Sequence, residues 1–390
     1  MSDQLIQVFQ RMAREARKTD LAVFAGRVGG RLMDNAKYLF RHCVLHKQPF
    51  TPIFLTHHKA EHETLRAAKL PSMLFPSDES IQLLPRAKVV AADDFWFKTQ
   101  TPAYHLLSQA KVLQMWHGIP LKLIGFPEIE SGVNMTPDKA EHLRFGYSGY
   151  DAALSTSPFI TKTSLGKVFQ AGEMWETGYP RNDVFFRPPT KQELLGSDVE
   201  LYAQARQASR KGPVFVYTPT FRDHGGLGLT PDVLDLAALD AAMGEMNGLF
   251  IMKFHSFTGV HSELPFRNIR IMRSTDDVYP LLPLTSALIT DYSSIFTDYL
   301  VMDKPVLFFP YDLDDYRKKN RELQFDYDWI TPGPKCMNQQ ELLAALADVA
   351  RGGDLGFADK RREIARLAFA RHDGESCARV LEHLRREIGA

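Results

Sequence analysis

Leu288-Ile289-Thr290-Asp291-Tyr292-Ser293-Ser294-Ile295-Phe296-Thr297-Asp298-Tyr299 begins as an apolar run, stops at an acid and two hydroxyls, and resumes with helical spacing. The pattern predicts a strand, a tight turn and a helix, with Ser293 and Ser294 at the helix N-cap and first turn. Hydroxyls and unpaired backbone N–H groups at that position can hold an anionic oxygen, although a plain capped helix explains the same residues. Upstream, Pro213-Val214-Phe215-Val216-Tyr217-Thr218-Pro219-Thr220-Phe221-Arg222-Asp223 runs from a strand into a polar turn, and Leu249-Phe250-Ile251-Met252-Lys253-Phe254-His255 ends a further strand on a histidine. If the three strands are parallel, Arg222, His255 and the 291–294 turn converge at the carboxyl end of one sheet, where open α/β sheets bind ligands. The planar fork of an arginine suits a diphosphate; a surface salt bridge is the plainer use of Arg222.

The first half repeats the alternation. Short apolar runs at 21–25, 53–56, 72–75, 87–91, 111–116 and 151–157 are separated by helical or turn-rich stretches, as in a parallel sheet with crossover helices. Gln114-Met115-Trp116-His117-Gly118-Ile119-Pro120-Leu121-Lys122 places His117 beyond a strand end, with Gly118 allowing close approach of a backbone or substrate. A structural role is the plainer reading of a single histidine. Residues 126–143, with Pro127, Gly132 and Pro137, read as a loop beside this edge, suited to acceptor contacts or a lid. Gly26-Arg27-Val28-Gly29-Gly30-Arg31 precedes a helix, but its spacing fits neither the dinucleotide fingerprint nor the P-loop.

A chain of 390 residues exceeds what one core usually supports. Two domains are expected, 1–185 and 186–390, with the last helix packing back on the first. The 47 basic residues balance 47 acidic ones, which removes the electrostatic case for nucleic acid. Three scattered cysteines, Cys43, Cys336 and Cys377, argue against a disulfide framework or a thiolate metal site and for a reducing cytoplasm. Residues 4–16 form an amphipathic basic pattern that suits either an anionic membrane surface or packing on its own domain, the commoner outcome. No apolar run is long enough to span a bilayer, so membrane contact is expected to be peripheral, at the inner face. Asp312 and Asp314 have a metal-pair spacing that arises often by chance, and no metal or other cofactor is expected.

Taken together, residues 114–121, 178–183, 217–223 and 289–294 resemble the CDP-glycerol glycerophosphotransferase family of teichoic acid primases and polymerases. Residues 34–40 and 311–316 resemble it too, in the same order along the chain. The resemblance implies a GT-B fold: two Rossmann-like domains facing a central cleft, acceptor on the first and CDP-alditol on the second. It implies transfer of glycerol phosphate or ribitol phosphate from CDP-glycerol or CDP-ribitol to a hydroxyl acceptor, either lipid-linked or a polymer chain, with release of CMP. His117 is then the candidate general base; Arg222, His255, Ser293 and Ser294 hold the diphosphate; Asp291 and Asp298 orient these groups. Substrate contact is also assigned to Gly118, Lys122, Arg181, Asn182, Thr218, Thr220 and Tyr292. The chain departs from the family pattern at Ile119, Leu123 and Ser256, which bears on acceptor choice. Primase, short polymerase and capsule enzyme all fit. A GT-B glycosyltransferase using a nucleotide sugar and a non-catalytic nucleotide-binding module are the alternatives.

Overall fold

Leu21-Ala22-Val23-Phe24-Ala25 is buried at every position, as expected of a strand covered on both faces rather than of an amphipathic helix. In the computed structural model, which describes residues 3–220, 230, 232–253, 265–314, 316 and 322–389, this run is strand β1. The chain divides into two units. One comprises Met1–His117, Ile124–Gly196 and Ala370–Ala390, and the other comprises Gly118–Leu123 and Ser197–Phe369.

In the first unit β1 (Leu21–Ala25), β2 (Thr51–Thr56), β3 (Ser72–Leu74), β4 (Val89–Ala92), β5 (Lys111–Gln114), β6 (Tyr150–Ser155) and β7 (Ala171–Glu176) form one sheet in the order β3-β2-β1-β4-β5-β6-β7. Every pairing is parallel. The order reverses between β1 and β4, which makes their carboxyl ends the ligand-binding edge of a doubly wound sheet. The Ser376–Ile388 helix packs on the Asp34–Leu45 helix and on the Pro180–Phe185 turn. Asp183 fastens its start by accepting from the amides of Ser376 at 2.9 Å and Cys377 at 2.8 Å.

Residues 186–196, which the sequence reading gave to the second domain, belong with the first. Arg187 forks onto Glu193 at 2.8 and 2.6 Å, Arg41 faces the same carboxylate at 3.6 Å, and Gly196 lies so close to the Leu32 carbonyl that a Cβ would sit 2.1 Å from its oxygen. The stretch read as a loop, 126–143, holds the Phe126–Ser131 helix and most of the Pro137–Tyr147 helix. Both carry proline in the first turn, where its missing N–H costs no helical bond, and Gly132 ends the first in a left-handed cap. The glycine-rich loop serves packing: a Cβ on Gly30 would lie 2.3 Å from the Leu55 carbonyl oxygen of β2.

In the second unit β8 (Val214–Thr218), β9 (Leu249–Lys253), β10 (Ile269–Met272), β11 (Ala287–Thr290) and β12 (Val306–Phe308) form a second parallel sheet ordered β10-β9-β8-β11-β12. Phe215, Tyr217, Phe250, Met252, Ile289 and Leu307 pack with Leu342 and Leu346 of the Gln339–Ala350 helix. The switch point falls between β8 and β11. Gly118–Leu123 joins this unit because Lys122 bridges Leu323, the Leu123 amide donates to the Glu322 carbonyl and the Gln324 amide to the Leu121 carbonyl, both at 2.8 Å. Gly118 and Lys122 are therefore second-unit residues although they follow β5.

Candidate active site

At the switch point of the first sheet, β4 delivers Asp93 and β5 delivers His117. The His117 Nδ1 lies 3.1 Å from the Asp93 backbone carbonyl. A carbonyl only accepts, so Nδ1 carries the proton and Nε2 keeps its lone pair. The backbone that aims the ring is unusual, since Trp116 has φ 55°, a left-handed value that a bulky residue keeps only when its surroundings enforce it. Here the Trp116 amide donates to Gln114 Oε1 at 2.9 Å and its carbonyl accepts from Asn35 Nδ2 at 2.8 Å. The Trp116 and His117 rings then lie 4.0 Å apart, tilted by 32°. Burial first, then the positive field of Arg27, lowers the His117 pKa to about 3 against the opposing pull of Asp34. The imidazole is neutral at physiological pH.

Charged groups behind the ring are bonded to one another. Asp34 Oδ1 accepts a very short hydrogen bond from Arg181 and also bonds the Asn35 amide at 3.1 Å, while Oδ2 faces Arg27 at 3.3 Å. Asn35 Oδ1 takes the Arg181 amide at 3.2 Å. Burial raises the Asp34 carboxyl, but Arg181 and Arg27 outweigh it and hold the group below its usual range. Asp93 is different: burial and the neighbouring Asp34 charge push its pKa well up, although both its oxygens accept from the Ala36 amide at 2.9 and 3.0 Å. With Arg181 and Asp34 both buried, losing either partner leaves the other charge buried without its closest counter-charge, at a cost of about 3–5 kcal/mol.

At the switch point of the second sheet, Asp291 is wholly buried and its Oδ1 accepts from the amides of Thr220 at 2.8 Å and Tyr292 at 2.6 Å. It ties the turn after β8 to the turn after β11. Thr290 Oγ1 repeats the tie by donating to the Thr218 carbonyl at 2.8 Å. The Tyr292 ring stacks on Tyr316 at 3.5 Å, and its hydroxyl donates to Asp312 at 3.0 Å, so Asp312 has a structural partner. The Lys122 ammonium lies 5.1 Å over the Tyr316 ring. Asp298 accepts from the Tyr279 hydroxyl at 2.9 Å. Ser294 occupies the N-cap of the Ile295–Tyr299 helix with no side-chain capping bond, and Ser293 Oγ accepts only a long bond, 3.4 Å, from the Ile295 amide. Both hydroxyls are partly exposed.

Of the sequence-derived residues, His117, Arg181 and Asn182 thus lie in the first unit. Gly118, Lys122, Thr218, Thr220, Asp291, Tyr292, Ser293, Ser294 and Asp298 lie in the second. Arg222 and His255 lie outside the described residues. Asp34, Asn35 and Asp93 were missed as site residues. A signal existed for Asp93, which directly follows the apolar run Val89-Val90-Ala91-Ala92 at a strand's carboxyl end. Among the described residues, no group of three or more His, Cys, Asp or Glu side chains could hold a metal ion.

The family described as CDP-Glycerol:Poly(glycerophosphate) glycerophosphotransferase matches residues 7–385. The chain belongs to this family. Among individual relatives, the teichoic acid glycerol-phosphate transferase of Staphylococcus aureus is 26% identical over 311 residues, covering 77% of this chain and 76% of that protein. The teichoic acid poly(glycerol phosphate) polymerase of Bacillus subtilis is 30% identical over 254 residues, which are 62% of this chain but 33% of the polymerase. The solved structure of the wall teichoic acid polymerase TagF superposes with a TM-score of 0.77 at 20% identity, covering 99% of this chain and 93% of that one. The glycotransferase of kitacinnamycin follows at 0.52 and 12% identity, covering 95% of this chain and 100% of that one, so this family member shares the GT-B fold.

Proposed function

We propose that this glycerophosphotransferase-family enzyme transfers an alditol phosphate from CDP-glycerol or CDP-ribitol to the terminal hydroxyl of a teichoic acid-like or capsular acceptor. The observation that carries the reading is the His117 tautomer: Nδ1–H is committed to the Asp93 carbonyl and Nε2 is a bare, neutral base. His117 takes the acceptor hydroxyl proton, and the oxygen attacks the β-phosphorus of the donor. The bond from that phosphorus to the bridging oxygen breaks, its electron pair leaves with CMP, and a phosphodiester remains. The Ser293 and Ser294 hydroxyls hold the donor diphosphate, on a turn that Asp291 fixes; Arg222 and His255 are assigned to the same diphosphate from sequence.

Within this reading the acceptor is carried on lipid at the inner face of the plasma membrane. The Asp3–Glu15 helix buries Phe9 and Ala13 and leaves Leu5 and Val8 exposed for peripheral contact. No helix among the described residues is long and apolar enough to cross a membrane. The test is nucleotide release, read as CMP from CDP-glycerol or CDP-ribitol and as the nucleoside diphosphate from a nucleotide hexose, each with lipid-linked and polymeric acceptors and in excess chelator. Release from a CDP-alditol, undiminished by chelator, is expected. Release from the nucleotide hexose alone, or a loss restored by magnesium, contradicts the reading.

A further inference from the structure

The first unit holds a cavity of about 670 Å³ bounded by the Asp34–Leu45 helix, the Pro180–Phe185 turn and the Ser376–Ile388 helix. Its lining is rich in cationic and imidazole groups. Arg41 is 4% exposed: it donates to Gln192 at 2.8 Å and faces Glu193 at 3.6 Å, while its buried Nε has no hydrogen-bond partner. Glu193 already takes both arms of the Arg187 fork, so one carboxylate serves two guanidinium groups. Arg385, exposed at the rim, bonds only the neutral Gln48, at 2.9 Å, and has no carboxylate within ion-pair distance among the described residues. The His42 and His46 rings lie 4.2 Å apart. The acids of the wall offset this only in part, because Asp183 is turned onto the amides of Ser376 and Cys377, and Glu375 stands exposed in solvent.

Arg41 Nε is closed to solvent, so it is the unpaired Arg385 guanidinium at the rim, with Arg41 and Arg187 sharing one carboxylate beside it, that calls for an anion with oxygens to accept from it. The cavity also has a fixed relation to the candidate base. Asp34, at the start of the Asp34–Leu45 helix, belongs to the His117 cluster, and Arg41 lies seven residues further on, about 10 Å along the axis. We infer that this cavity is a distal acceptor subsite, in which Arg385 binds a phosphodiester group of the acceptor chain upstream of the hydroxyl being extended, and the buried Arg41 adds positive charge behind it. The inference rests on the proposed transferase reading, since only a poly(alditol phosphate) acceptor brings a phosphodiester at a set distance behind its reactive end. Burial first, then the charges of His46, Arg187 and Arg385 against the opposing Glu193, lowers the His42 pKa to about 4.

The experiment compares acceptors bearing one glycerol phosphate unit with acceptors bearing several, using the full chain and its Arg385→Glu and Arg385→Lys variants. Arg385 is exposed, so neither variant threatens folding. The wild type is expected to show a lower KM for the longer acceptor, and Arg385→Glu to raise that KM roughly tenfold while kcat and the single-unit KM stay unchanged. Arg385→Lys should recover part of the difference. Length-independent KM in the wild type, or an Arg385→Glu effect equal for both acceptors, overturns the subsite. If no acceptor supports CMP release, the proposed function fails, and calorimetry with a purified poly(glycerol phosphate) fragment still decides the subsite. Binding weakened about tenfold by Arg385→Glu supports it; equal binding by the two proteins, no binding, or binding of free inorganic phosphate as tightly as of the fragment overturns it.

Discussion

The surroundings of His117 leave the Nε2 lone pair free at neutral pH and at the same time lower its basicity. Its neutral form survives acidification because the folded environment lowers the pKa from 6.5 to about 3. With the pKa lowered, the protonated and inactive fraction stays small as pH falls through 6.5. The acidic limb of kcat/KM is therefore expected below the ordinary imidazole range, with the rate flat from pH 8 to below 6. A limb with its midpoint near 6.5 that vanishes in His117→Asn would show an unperturbed imidazole and contradict the environment described. His117 was legible as a strand-end histidine; its tautomer was not, because it depends on a backbone carbonyl 24 residues away in sequence. Asp34 was invisible as a site residue for a similar reason: only the fold brings Arg181 to it across 147 positions.

Two turns gain their shape from single carboxylates. Asp291 joins the loops after β8 and β11 through two amides, so the acid that read as an orienting group contacts backbone, and the partly exposed hydroxyls of Ser293 and Ser294 follow it on the same turn. In the first unit the Asp34 to Arg181 pair pins the Pro180–Phe185 turn to the start of the Asp34–Leu45 helix. Arg181→Met should lower the unfolding free energy of that unit by about 3–5 kcal/mol in chemical denaturation, because it leaves the Asp34 charge buried without its closest partner. A change below about 1 kcal/mol would show the pair to be dispensable. Elements with covered faces were legible, as β1 shows. The missed strands lay at sheet edges: β7, Ala171-Gly172-Glu173-Met174-Trp175-Glu176, is largely exposed and polar, and β10 is four residues with an arginine inside. Edge strands need not be apolar, so periodicity does not mark them.

At the scale of the whole molecule, both parallel sheets reverse strand order and both place their candidate residues at the switch, His117 on the first and the 291–294 turn on the second. That arrangement followed from a sequence in which apolar runs alternate with helical stretches and end in chemistry-bearing residues. The boundary at 185 did not follow, because residues 186–196 are fixed to the first unit by Glu193 and Gly196, contacts with no local signature, whereas the final helix was expected on the first unit and Asp183 holds its start there. The central claim is a division of labour, with acceptor activation by His117 and donor binding by the serine turn. It is tested most directly by measuring CDP-glycerol affinity and single-turnover CMP release for His117→Asn and for Ser293→Ala with Ser294→Ala. His117→Asn should lose roughly 10²- to 10⁴-fold in rate with donor affinity retained, and the double serine variant should weaken donor binding by on the order of 1–3 kcal/mol. Loss of donor affinity in His117→Asn, or unchanged affinity in the serine variant, would contradict the account.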